Sequence, residues 1–270
     1  MADEADWAPP GVDTRRANVA RVYDYWLGGT HNFLADQDVG RAVAAVEPGI
    51  RAIAQANRAF LGRAVRFLAA AGIRQFLDIG SGIPTEGNVH EVAQSADPQA
   101  RVAYVDFDPV AVAHSKAILD GNPRAGIIDA DLRRPEEILA HPVTGQLIDF
   151  SQPVGLLLVA VLQFLADADD PWRTVAMLRD ALAPGSYLVV CHGTDEGRAT
   201  TALAAGKVYN GSVGTEIHMR PRADILRFFD GFDLVAPGLV FIPQWRPDSP
   251  ADVPAQPGKF WALVGVGRKA

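Results

Sequence analysis

The stretch that most constrains the fold is residues 75–91, QFLDIGSGIPTEGNVHE. Phe76, Leu77 and Ile79 form the short apolar run of a buried strand. Asp78 sits near the carboxyl end of that run. Gly80 and Gly82 then permit a tight turn and a close approach of backbone to a ligand. Pro84 suits the first turn of a helix, where its missing N–H costs little, and Thr85 and Glu86 lead into that helix. A dinucleotide-binding turn needs a third glycine in the pattern G-x-G-x-x-G, and Thr85 stands in its place. The pattern present is D-x-G-x-G.

The flanking sequence predicts the layers around this turn. Helices are expected over 14–27, capped by Thr14 and stopped by Gly28-Gly29, then over 36–46 and 49–71. The third carries Ile53, Asn57, Phe60, Leu61, Ala64 and Leu68 at helical spacing, and Gly72 ends it. Further strands follow at 101–106, 124–130, 153–162 and 185–192, with helices at 109–120, 135–141, 171–183, 195–208 and 221–230. The run PVGLLLVAVL at 153–162 is apolar throughout, as a central strand covered on both faces must be. Residues 232–242 and 259–267 read as the last two strands, joined by a surface loop, 243–257, with five prolines. Strand and helix in alternation, with right-handed crossovers, give a doubly wound α/β sheet. Residues 1–13 read as a disordered tail, 14–72 as a helical cap or lid, and 73–270 as the sheet domain.

Composition excludes several functions. At 270 residues the chain can bury one large core, and its 49% hydrophobic and 21% charged residues suit a soluble globular protein. A net charge of −7 without a basic stripe argues against a nucleic-acid partner. No apolar run approaches the ~20 residues of a membrane span. The first residues, MADEADWAPPG, lack the apolar core of a signal peptide, so a cytoplasmic location is expected. Cys191 is the only cysteine, which leaves neither a disulfide framework nor a thiolate zinc cluster. Gly206-Lys207 and Gly258-Lys259 lack the Ser or Thr of a phosphate loop, and no G-x-S-x-G elbow is present. The sequence is silent on oligomeric state.

In a doubly wound sheet, ligands bind beyond the carboxyl ends of the strands. A polar residue follows each of five strands: Asp78, Asp106, Asp131, Gln163 and His192. Asp106 can accept both hydroxyls of a ribose or serve as a capping acid, whereas Asp108 before Pro109 is a helix cap. Asp131 can accept from an adenine amino group or hold its own loop. Asp129 and Asp131 form a D-x-D pair without further ligands, so no metal site is expected. His192 is either a general base or a buried structural imidazole. Tyr23, before the Gly28-Gly29 break, suits a lid over the crevice, while Trp26 suits the core. His31, Glu216 and His218 have weaker claims.

Several segments together resemble the bacterial S-adenosyl methyltransferases long catalogued as a domain of unknown function. They are RVYDYWLGG at 21–29, NRAFLGRAVRFL at 57–68, QFLDIGSGIPTEGNVHEVA at 75–93, VAYVDFDPVAVAHSKAIL at 102–119, DADLRRPEEIL at 129–139 and GLVFIPQWRP at 238–247. The likeness runs from about residue 14 to 268. It implies a class I, Rossmann-like seven-stranded sheet of order 3-2-1-4-5-7-6, with strand 7 antiparallel. It implies S-adenosyl-L-methionine as cofactor, with Asp78, Gly80, Ser81 and Gly82 around the methionine part. Asp106 would hold the ribose, Phe107 would lie beside the adenine, and Asp131 and Leu132 would hold its edge. Val161, Leu162 and Gln163 would flank the sulfonium. Where related enzymes often carry His, this chain has Gln163, and their Lys-Asp-Asn-Phe after the glycine pair is Thr30-His31-Asn32-Phe33 here. The expected activity is O- or N-methylation of a small-molecule acceptor. Residues 14–34, with Tyr23 and His31, and 192–220, with Tyr209 and His218, are expected to shape an acceptor pocket. The alternatives are a non-catalytic cofactor-binding regulator and, disfavoured by Thr85, a nicotinamide oxidoreductase.

Overall fold

The computed structural model describes Ala8 and residues 12–84, 87–197 and 199–270. The expected tail falls almost wholly outside the described residues, as do Thr85 and Glu86. Three helices open the fold: α1 (Val19–Leu27), α2 (Leu34–Val46) and α3 (Ile50–Ala70). α1 starts later than expected, because Asn18 and not Thr14 caps it: the Asn18 side chain accepts from Ala20 N at 2.8 Å. Gly28 stops it in the left-handed conformation, with φ 85°.

The sheet then builds in order. β1 (Gln75–Ile79) is followed by α4 (Val89–Ala96), β2 (Arg101–Asp106), α5 (Pro109–Ile118) and β3 (Ala125–Asp129). After α6 (Pro135–Ala140) and α7 (Pro142–Leu147) come β4 (Gly155–Val159), α8 (Pro171–Ala181) and β5 (Tyr187–Gly193). α9 (Ala199–Val213) and α10 (Arg222–Leu226) precede β6 (Phe232–Leu234), β7 (Val240–Phe241) and β8 (Ala262–Lys269). The order is β3-β2-β1-β4-β5-β8-β6, with β7 also paired to β8. β1 to β5 run parallel, and β8 is antiparallel to β5, β6 and β7. The expected single strand over 232–242 is thus two, interrupted where Pro237 cannot donate to a ladder. β8 takes the antiparallel place expected of strand 7. Pro84 lies in the turn and not in a helix, because α4 begins only at Val89 behind the cap Asn88, whose N–H donates to Glu91 at 2.8 Å.

Alternation along the strands sorts the core into two faces. Leu77, Ile79, Leu156, Leu158, Leu188 and Val190 pack with Ile138 of α6, Leu178 of α8 and Ile225 of α10. Phe76, Val102, Leu157, Val189 and Val264 pack with Phe60, Leu61, Ala64 and Leu68 of α3. Trp245 is fully buried there, its ring 5.4 Å from Phe60 and 5.8 Å from Phe67, so the proline-rich loop is pinned to α3. A third cluster joins Val22 and Trp26 of α1, Val43 of α2, Ile50 and Ile53 of α3, Ala205 and Tyr209 of α9, and Trp261. α3 is therefore shared: its later turns cover the sheet, and its first turns join α1, α2 and α9 above the strand ends. No helix among the described residues is long and apolar enough to cross a membrane.

Candidate active site

A cavity of about 600 Å³ lies between the carboxyl ends of β1 to β5 and the third cluster. Its floor is the turn after β1. Gly80 and Ser81 both donate to Val105 O, at 2.8 and 3.1 Å, which folds the turn back onto β2. Gly80 and Gly82 have φ of 75° and 68°, conformations that glycine adopts without strain. A Cβ on Gly80 would lie 2.3 Å from Cγ2 of Val161, so no side chain fits there.

Asp106 closes β2 and is buried. Its two oxygens accept from Gly82 N at 2.7 Å and Asp108 N at 2.9 Å. Burial pushes its carboxyl up to about 6, and the N–H groups of Asp108 and Gly82 limit that rise. Asp108 is the helix cap, accepting from Ala111 N at 2.9 Å. Asp108 is thus the capping acid, and Asp106 holds the turn after β1 from the end of β2. Asp78 lines the cavity beside them, pushed up to about 7 by burial; the Arg58 guanidinium opposes that shift and the charge on Asp106 adds to it.

Phe107, half-exposed, and Leu132, buried, line the β3 side. Asp131 lines it too, but its carboxylate is engaged by Arg133, whose Nε lies 3.0 and 2.9 Å from the two oxygens. Burial raises that carboxyl, and the Arg133 bonds outweigh it and hold it below the usual range.

Beyond β4, Val161 and Gln163 line the cavity. Leu162 does not: it is fully buried in the opposite core. Gln163 ties the site together, accepting from Gly193 N at 3.2 Å through its side chain and from His218 N at 2.8 Å through its backbone.

His192 is not placed as a base. It lies within β5, where alternation turns Cys191 toward the cavity and His192 toward the far face, stacked on Phe228. Arg220 can only donate, so its Nη1, 2.8 Å from His192 Nε2, fixes that nitrogen as the acceptor. The proton is then on Nδ1, donated to Gly193 O at 2.7 Å. Burial pushes the imidazole down to about 3, so it stays neutral.

Tyr23 does line the cavity, yet its hydroxyl is spent. It donates to Ala54 O at 3.1 Å and accepts from Asn57 Nδ2 at 2.8 Å. Burial pushes it up to about 12, so it too stays neutral. Tyr209, Glu216 and His218 line the cavity, whereas His31 packs against His114, with ring centroids 3.8 Å apart and the planes tilted by 52°. Sequence reasoning missed Asn57, Arg58, Phe164 and Trp261, which also line it. Asn57 gave one signal: a polar residue at a buried position of the α3 apolar stripe.

A family model for S-adenosyl methyltransferases matches residues 5–270. The chain belongs to that family. It is 43% identical to a candidate methyltransferase from Thermobifida fusca, covering 98% of this chain and 99% of that one, with a TM-score of 0.92. It is 37% identical to a DUF574 family protein from Streptomyces avermitilis, covering 96% and 99%, also with a TM-score of 0.92. The N-methyltransferase NodS from Bradyrhizobium japonicum, solved with S-adenosyl-L-homocysteine, is 15% identical with a TM-score of 0.50 over 86% of this chain and 97% of that one. That last likeness speaks to the fold alone. No curated protein matches the chain significantly.

The enzyme is therefore a class I methyltransferase that uses S-adenosylmethionine, and its residues fit that cofactor. Two buried carboxylates, Asp78 and Asp106, stand near one another, where a cationic amino group and a ribose diol would relieve their desolvation. Ser81 Oγ is buried without a partner beside them, a polar atom that a ligand can satisfy. At Gly82 a Cβ would meet nothing within 4 Å, so that side of the turn leaves room for the methionine chain. In this arrangement Asp78 and Arg58 would hold the amino and carboxylate ends, Asp106 the ribose, and Phe107 and Leu132 the adenine.

Proposed function

We propose that this methyltransferase methylates an oxygen or nitrogen of a small-molecule acceptor held under the helices. The observation that carries the reading is the continuation of the cavity past the strand ends that suit the cofactor. Beyond Val161 and Gln163 it is walled by Tyr23, Ala54, Phe164, Tyr209 and Trp261, from α1, α3, α9 and the loops between. These side chains hold the acceptor in line with the methyl and exclude water. S-adenosylmethionine, when bound, would supply an activated methyl group, and these residues would keep the acceptor aligned with it.

The acceptor must also lose a proton. His192 and Tyr23 are committed elsewhere, and Gln163 is no base. His218 is the histidine that lines the cavity among the described residues, and its backbone is fixed to Gln163. We assign it as general base. Calorimetric titration with S-adenosylmethionine, S-adenosyl-L-homocysteine and NAD is the first test, followed by a small-molecule panel with labelled cofactor. Tight NAD binding with no response to either sulfur compound would overturn the reading. Cofactor binding without transfer to any panel member would favour the regulatory alternative.

A further inference from the structure

The acceptor half of the cavity also carries information about what fills it, an inference that rests on the methyltransferase reading. Its walls are rings. Tyr209 stands 6.1 Å from Trp26 and 6.5 Å from Phe164, centroid to centroid, with interplanar angles of 39° and 31°. Trp261 joins them in the same cluster. Its backbone has φ 28° and ψ 37°, a conformation rare for a large side chain. The strained position is held on both sides, because Trp261 N donates to Gly258 O at 3.1 Å and Trp261 O accepts from Thr194 N at 2.9 Å.

Two polar atoms in these walls lack a partner. Tyr23 has one hydrogen, which it gives to Ala54 O, so Asn57 must present its NH₂ to the phenol. That leaves Asn57 Oδ1, an acceptor, buried and unbonded. Trp261 Nε1, a donor, is buried and unbonded as well. Trp26 Nε1, by contrast, is satisfied by Gly40 O at 3.2 Å. Buried polar atoms are nearly always paired, so an orphan donor and an orphan acceptor on two residues that line one cavity point to a ligand that supplies both complements.

Charge narrows the class. The charged residues lining the whole cavity are Arg58, Asp78, Asp106 and Asp108 near the β1 and β2 ends, Asp131, Arg133 and Asp169 near β3, and Glu216. The ring-lined half therefore holds few counter-ions: Arg58, whose charge reaches Tyr23, lies at the cofactor end, and Glu216 is exposed, so burying an unpaired charge among the rings is disfavoured.

We propose that the acceptor is an uncharged aromatic compound bearing a hydrogen-bond donor and an acceptor, stacked among Trp26, Phe164, Tyr209 and Trp261 and anchored by Asn57 Oδ1 and Trp261 Nε1. The test uses protein saturated with S-adenosyl-L-homocysteine and three probes: 5-hydroxyindole, cyclohexanol and 4-hydroxybenzoate. 5-Hydroxyindole should bind at least ~10-fold more tightly than the other two, and Trp261→Phe, which keeps a ring and removes the N–H, should weaken it by ~10-fold with homocysteine-cofactor affinity unchanged. Equal affinities, or a preference for the carboxylate, would overturn the aromatic assignment while leaving the methyltransferase reading in place. Failure of S-adenosyl-L-homocysteine itself to bind would overturn that reading, and this assignment with it.

Discussion

Arg220 Nη1 donates to His192 Nε2 at 2.8 Å, and both side chains are buried beneath the sheet. The same guanidinium donates to Leu162 O at 3.1 Å, to Leu165 O at 2.7 Å and to Asp167 at 2.7 Å. Arg220 N also donates to Gly193 O at 3.2 Å. The segment after β4, the end of β5 and the strand-like run before α10 are thereby locked to one another from below. The cation is a clamp for the β4 and β5 side of the site, and His192 is one of its jaws.

His192→Ala should consequently act on stability. It strands a donor of a buried guanidinium, at a cost of about 1–3 kcal/mol, and leaves a cavity besides. A drop in melting temperature of roughly 2–10 °C is expected for a chain of this size. Affinity for S-adenosyl-L-homocysteine, read by calorimetry on the folded variant, should stay within a few-fold. An unchanged melting temperature with abolished methyl transfer would return His192 to the chemistry.

Asp106→Ala should separate cofactor from fold. In the proposed arrangement the carboxylate would accept two ribose hydroxyls, each bond to a charged group being worth about 1.5–3 kcal/mol. Affinity should fall by at least ~10²-fold. The substitution also frees the N–H groups of Gly82 and Asp108, so the melting temperature must be measured alongside. Parent-like affinity in a folded variant would leave Asp106 as a structural acid of the β1 turn.

Much of the fold was legible because the chain obeys simple periodicities. The apolar run before Gly80, the alternation of strands and helices, and Gly28 and Gly72 as stops all follow from local chemistry. That Asp78, Asp106 and Asp131 line one cavity was legible for the same reason: in a doubly wound sheet, residues after β1, β2 and β3 must gather. The other half of the cavity was legible only in part: Tyr23, Tyr209 and His218 line the cavity as expected, and His31 does not. Asn57, Trp261 and Phe164 come from a helix, a strand edge and a short turn, and only tertiary packing brings them together. His192 misled because the strand runs one residue further than its sequence pattern suggested. A histidine at the end of a strand faces the ligand, whereas one inside it obeys the alternation, and here Cys191 took the cavity side. Leu162 fell out of the site by the same logic.

His218→Ala should slow turnover by ~10²–10⁴, the usual span for general acid–base catalysis, on the first acceptor that a screen identifies. Its side chain lines the cavity and its N–H is held by Gln163 O, so cofactor affinity should be nearly unchanged. The loss should appear in kcat rather than in the KM for S-adenosylmethionine. Turnover equal to that of the parent across pH would mean that the acceptor gives its proton directly to water and that alignment alone drives the reaction.

Asp78 offers a test without any acceptor. Its carboxyl is pushed up to about 7 in the cofactor-free protein, by burial above all, against about 3.9 in an unfolded chain. The folded state therefore binds more protons than the unfolded one between those values. The sign follows: the contribution of Asp78 to stability is fully present below about pH 4 and is lost as pH rises toward about 7. A cationic amino group set against the carboxylate reverses the preference and holds it ionised. Cofactor binding near pH 6 should then expel a proton, and affinity should climb as pH rises through that range. Calorimetry with S-adenosyl-L-homocysteine at about pH 6, in phosphate and in imidazole, reads the proton directly as a difference in observed enthalpy. Asp78→Asn should remove most of that difference, leaving only what Asp106 contributes from its own raised value of about 6. Identical enthalpies in the two buffers would show that the amino end of the cofactor does not meet Asp78.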